Sequence, residues 1–395
     1  MFEIGGAVPW SVPPSWAQPV RERLAWLTRV PPGGGIGKAR LRAAPRRGLS
    51  FQVVSWPDER ALLDALRFDH AGREWELPIW PDVQLLGSHL PQGTDFIPCH
   101  TDGRDFVPGG RALLWRAADQ WEVVPVEDVS PSGLVLGGTT GNAWAADARV
   151  YPVRRGRLVS APVQTARNDH VASYRVDFDI TEPCEFPVAA PSSTYRGLPV
   201  LEWRSDWGED PTSVVNRTLE LVDAQTGPVA VFDVYGRPFP EQDHRWLLFG
   251  RAEHTAWRSL MYGLAGRYAT LWVPTYMQDL RLVDDIGSAV TALTVRASAY
   301  SVFGRQQPNR RDIRIELNDG TVFYRRILDS AASGDTEVLT IDSALGHSVA
   351  VGQVRAISFM FAAQLADDTV TLDHVTDADG VARATTRWQA VAYDG

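Results

Sequence analysis

Residue types that could do chemistry are present in this chain, but they are not gathered. The eight histidines, His70, His89, His100, His170, His244, His254, His347 and His374, are dispersed, with no His-x-x-x-His spacing among them. The two cysteines, Cys99 and Cys184, are far apart, and Cys99-His100 alone is a poor metal signature, so a metal site would need ligands from distant positions. Gly33-Gly-Gly35 precedes Ile36 with no lysine-serine pair, so no phosphate cradle is expected. No Gly-x-Ser-x-Gly elbow occurs. Asp284-Asp285 and Asp367-Asp368 supply carboxylates in pairs, as glycoside hydrolysis requires. Sequence neighbours on a strand point to opposite faces, so neither pair converges, and both read as solvated turns. The histidines read as ordinary surface or turn residues. No catalytic residue, metal ligand or cofactor is expected.

The charge cluster that carries most weight is basic. Lys38, Arg40 and Arg42 alternate, which on a strand places three positive charges on one face, and Arg46 and Arg47 come next. Interleaved stacking aromatics are missing, which argues against a nucleic-acid patch, as do the formal charge of −9 and pI near 5.4. An acidic chain with one basic stripe can pair with its own copies, so these five are the candidate subunit-interface residues.

The elements that must position them are set by the periodicity. Trp257, Leu260, Met261 and Leu264 share a helical face, Gly266 sits where a left-handed C-cap is needed, and Leu271–Val273 reads as a buried strand ending at Pro274. Leu62, Ala65 and Leu66, then Gly72, Trp75–Leu77 and Pro78, repeat that order about 196 residues earlier. Ser55 or Asp58 is the expected N-cap of the earlier helix. Between and after these units lie short strands broken by turns, with Asn318-Asp-Gly-Thr321 as a strong hairpin signal. The expected fold is mainly β with a few short helices, in a duplicated A–B–A′–B′ arrangement. Its modules are a tube-like β-sandwich/α module over 1–91, a small β-barrel or sandwich over 92–190, a second tube-like module over 191–287 and a second small barrel over 288–395. The fifteen tryptophans are expected to be core or interface anchors. The N-terminus lacks a basic n-region, and no apolar run reaches membrane-spanning length.

Trp26-Leu-Thr-Arg-Val30, the Gly-rich gap, Arg40-Leu-Arg-Ala-Ala-Pro-Arg-Arg47 and Glu76-Leu-Pro-Ile-Trp-Pro-Asp82 resemble the minor tail and distal tail proteins of long-tailed bacteriophages. The run departs from that pattern at Arg29, where such proteins often carry an acidic residue. The resemblance covers the two A modules, roughly half the chain, and it implies the domain shared by tail tube, distal tail and hub proteins. It further implies a structural virion protein, assembled in the host cytoplasm and located at the tail tip or baseplate. Such a protein would form a ring that joins the tube and tape measure to the hub and receptor-binding proteins. The ring can close in two ways: six chains each giving one A module to the tube end, or three chains each giving both in a pseudo-six-fold trimer. The competing reading is a carbohydrate-binding β protein recognising host-surface glycans, which requires several tryptophans on one exposed face. A cell-wall-degrading enzyme is disfavoured by the missing constellations above.

Overall fold

Alternation sets the strands. In Val20–Ala25 the side chains of Val20, Glu22 and Leu24 are buried while Arg21 and Arg23 are exposed, which is the period-two pattern of a sheet covered on one face. A computed structural model describes residues 8–31, 37–378 and 380–393; the Gly33–Gly35 loop and the first seven residues lie outside them. Strand makes up 45% of the chain and helix 11%, so the protein is mainly β, as its sequence predicts.

The first half runs β1 (Val20–Ala25), β2 (Arg46–Ser55), α1 (Pro57–His70), β3 (Trp75–Pro78), β4 (Phe96–Pro98), β5 (Arg111–Ala117), β6 (Gln120–Ser130), β7 (Gly133–Leu136), β8 (Arg149–Leu158), β9 (Val163–Ala166) and β10 (Ala172–Ile180). The second half runs β11 (Ser213–Asn216), β12 (Leu219–Val222), β13 (Ala230–Asp233), β14 (Phe239–Phe249), α2 (Gly250–Leu264), β15 (Leu271–Pro274), β16 (Ala292–Arg296), β17 (Asp312–Leu317), β18 (Val322–Ser333), β19 (Thr336–Ile341), β20 (Val354–Leu365), β21 (Thr369–His374) and β22 (Val381–Ala390). One pairing diagram serves both halves. β1–β2–β10–β9 is matched by β11–β14–β22–β21. β10–β8, β8–β3 and β8–β5 are matched by β22–β20, β20–β15 and β20–β17. The meander β5–β6–β7–β4 is matched by β17–β18–β19–β16.

The halves meet edge to edge. β1 pairs antiparallel with β21 from Val20↔His374 to Ala25↔Thr369, making one continuous run β9–β10–β2–β1–β21–β22–β14–β11. Its exposed face carries cross-strand ion pairs: Arg21 to Asp373 at 2.8 Å, Arg387 to Asp243 at 2.8 Å, and Arg23 to Asp179. The other face packs on the helices.

The modules are nested in the structure, whereas the sequence boundaries put them in tandem. One core joins Trp10, Phe51, Leu63, Trp75 and Leu77 to Tyr151, Tyr174 and Phe178, so β8 and β10 complete the sheet begun by β2 and β3. The meander has its own core, from Leu86 to Val150, and sits as an insertion. The second half repeats this, with one core around Trp246, Trp257 and Trp388 and another from Leu280 to Phe359. Local periodicity does not disclose which distant strand a strand will pair with, so the tandem boundaries give the closing strands to the inserted module.

At the start of both helices a first-turn glutamate reaches back to the cap N–H, three residues on in α1 and four in α2. Glu59 accepts the Trp56 N–H at 3.1 Å, and Glu253 accepts the Phe249 N–H at 2.7 Å. Trp56, in place of the expected Ser55 or Asp58, therefore holds the cap position of α1. At the end of α2 both Ala265 (φ 50°) and Gly266 (φ 69°) are left-handed. Gly266 is required there, because a Cβ would stand 2.6 Å from Asp368 Oδ1.

Candidate interface surfaces

The five basic candidates do not share a face. Only Ala39–Arg40 of their first stretch is strand, paired with Thr28–Arg29 as a short ribbon. Lys38 Nζ donates to Thr270 Oγ1 at 2.8 Å, and the Arg40 guanidinium lies over the Tyr268 ring at 5.2 Å. Both therefore clip the first half to the turn after α2. Burial brings the Lys38 ammonium down to about 8. Arg42 is half-buried and Arg46 exposed. Arg47 is 2% exposed and belongs to the interior.

Arg47 enters a buried ionic network that spans both halves. Glu22 accepts from Arg47 Nε at 2.5 Å, from Arg258 Nη2 at 2.7 Å, and bonds His374 Nε2 at 2.9 Å. Asp105 accepts from Arg154 at 2.6 and 3.0 Å and from Arg47. Asp82 accepts the Asp105 N–H at 2.9 Å and Arg251 Nη1 at 2.5 Å. Burial opposes ionisation of Glu22, but the Arg258 and Arg47 guanidiniums overcome it and hold the carboxyl well below its usual range. Asp105 is likewise held at about 2, against burial, by Arg47 and Arg154. Each of these buried carboxylates is hydrogen-bonded on both of its oxygens, so their charge is spent within the fold. The network acts as a fastener between β1, β2, the loop before β5, β8, α2 and β21.

Asp368 is a second fastener. It accepts from the Thr28 N–H at 3.0 Å, the Thr28 hydroxyl at 2.7 Å and the Arg267 N–H at 3.0 Å. It is therefore a structural bridge between the halves, and the solvated-turn reading fails at this position. The surface reading of the histidines also fails in part: His70, His244, His254 and His374 are buried. Burial lowers His244 and His254 to about 3, so both are neutral at physiological pH. Cys99 and Cys184 are free and buried, and burial pushes the Cys99 thiol up to about 11. Among the described residues no His/Cys/Asp/Glu group could hold a metal ion, and no helix is long and apolar enough to cross a membrane. Trp56 and Trp207 are the exposed tryptophans, while Trp10, Trp75, Trp80, Trp257 and Trp388 are fully buried.

Unsatisfied surface lies at the two ends of the eight-strand run. Among the described residues β9 pairs only with β10, and β11 only with β14. Every residue of β9 and of β11 is exposed. Beyond β11 the hairpin β12–β13 holds Leu219, Leu221, Val222, Val231 and Phe232 in solvent, and α1 holds out Trp56 and Phe68. Large apolar side chains beside free strand edges mark an interaction surface. The alternation in 215–221 reveals the hairpin; nothing in it reveals that both faces stay uncovered. Set against known proteins, the chain matches no protein-family model and no curated protein.

Proposed function

We propose that the chain is a structural protein of the tail tip of a long-tailed bacteriophage or prophage. In this reading it closes into a ring that joins the tail tube and tape measure to hub and receptor-binding proteins. The observation that carries it is the continuous sheet: both halves, related by one pairing diagram, lie side by side with their polar, ion-paired faces on the same side. Descent of the halves from one duplicated module fits that diagram. A wall past which a polymer must slide is best polar and internally neutralised, and these cross-strand pairs supply such a surface. The side-by-side placement favours the three-chain closure over six chains, because neither half is left outside. Three copies of an eight-strand run supply twenty-four strands. The sparse exposure of tryptophan gives the glycan-binding reading no groove to build on.

Native mass spectrometry with negative-stain imaging tests this. The expected result is a species of 3 × 43.6 kDa, about 131 kDa, with a central hole. A protein that stays monomeric at high concentration and binds glycans on an array would overturn it.

A further inference from the structure

We infer that the joint inside the chain is built a second time between chains: the β11 end of one copy docks on the β9 end of the next. The inference rests on the ring reading for its closure number, but not for the joint itself. Three parts of the internal joint each have an unpartnered counterpart at the free ends.

The first part is the strand pair. In the first half Arg23 faces Gly48, and Gly48 faces Asp179; in the second, Val214 faces Glu241, and Glu241 faces Gln389. Since Phe178 meets Leu158 as Trp388 meets Leu365, Val214 occupies the place of Arg23. By the same register Gln164, opposite Tyr174, occupies the place of Leu372, opposite Ala384. Inside the chain Glu22 faces Leu372 and Arg23 faces Thr371. Between chains Ser213 therefore faces Gln164, and Val214 faces Val163. Val214 is 53% exposed and Val163 73%, so the pair buries apolar surface that now meets water.

The second part is a ribbon laid over a helix end. Trp26 meets Tyr262 of α2 edge-on at 5.8 Å, beside the Lys38 and Arg40 contacts. Tyr262 lies five residues after the buried Trp257, as Phe68 lies five after the buried Leu63. Phe68 is 95% exposed, and the hairpin β12–β13, the counterpart of that ribbon, extends uncovered.

The third part is a loop against a helix start. Gly103, in the loop between β4 and β5, lies so close to α2 that a Cβ would stand 2.6 Å from Thr255 Oγ1. The matching loop between β16 and β17 leaves Val302 and Phe303 in solvent, beside a cleft of about 340 Å³ lined by Val215, Phe303 and Phe359. The corresponding helix start, on α1, presents exposed Trp56.

A second copy fits all three at once because the chain already makes this joint with itself. The chemistry differs in one respect. Glu22, which anchors the internal ionic network, is replaced by Ser213, and Arg47 by Pro240. The internal joint is ionic and buried, while the one between chains is apolar and separable. An interface that joins unlike ends repeats head to tail and closes as a ring where its rotation allows.

The test is cross-linking of the full chain carrying Val163→Cys and Val214→Cys, since facing strand positions lie within disulfide reach. Mild oxidation is expected to give covalent oligomers. A mixture of the two single variants should stop at dimers, and Val163→Cys combined with Val135→Cys should remain monomeric. Phe68→Glu, at a site fully in solvent, should weaken self-association at least tenfold and leave the thermal transition of the monomer unchanged. A double-cysteine variant that stays monomeric under oxidation, or assembly indifferent to Phe68→Glu, overturns the joint. Cross-linked open filaments would keep the joint and overturn the tail-ring reading. A three-chain ring without the disulfide would do the reverse.

Discussion

At the scale of the residue, Glu22 decides most. It is buried, and three cationic or hydrogen-bonding partners from three elements converge on it. Glu22→Gln keeps the shape but leaves Arg47 and Arg258 short of a counter-charge, and breaking a buried pair costs about 3–5 kcal/mol. The melting temperature of that variant at neutral pH should fall accordingly. A pH series adds a second check. The folded carboxyl is held below its unfolded value, so its stabilisation is complete above the unfolded pKa and is lost as pH falls through the folded one. The gap between wild type and Glu22→Gln should therefore narrow on acidification below about pH 4.5, and a gap constant down to pH 3 would contradict the assignment. None of this is legible in the sequence. Glu22 and His374 stand at opposite ends of the chain, and no spacing rule connects them.

At the scale of the element, the sequence is most legible where physics is local. The helix faces, the left-handed end of α2 and the hairpin at Asn318–Thr321, with Gly320 at φ 87°, are all set by neighbours a few residues apart. Partner choice stays hidden: that β8 and β10 return to β2 and β3, and that β1 crosses to β21. The basic stripe fails for a related reason. Its arginines read as one face only if the stretch is a single strand, but it is a short ribbon followed by a turn, so Arg47 enters the core. Gly266 ties local and distant structure together. Gly266→Ala adds a left-handed alanine, costing about 1–2 kcal/mol, and drives Cβ toward Asp368 and Trp26. Its thermal unfolding should show a loss at least that large, and an unchanged melting temperature would mean that the Asp368 bridge gives way freely.

At the scale of the whole molecule, the halves are joined by far more than the linker between them. The β1–β21 ladder, the Glu22 and Asp82 ion pairs and the Asp368 bridge all cross the boundary. A protease nick in the exposed stretch 187–190 should leave two fragments that co-elute on size exclusion and unfold in one transition. Separation of the fragments in native buffer would show that the buried network contributes little.

The chain has one lysine, and that side chain sits at the seam. With its ammonium lowered to about 8, Lys38 carries a substantial fraction of free amine under mildly alkaline conditions. Amine-directed reagents therefore have one side-chain address, and it reports on whether the first half is seated against Thr270 of the second. A dye placed there would track the opening of that seam, and none of the arginine side chains would take it up.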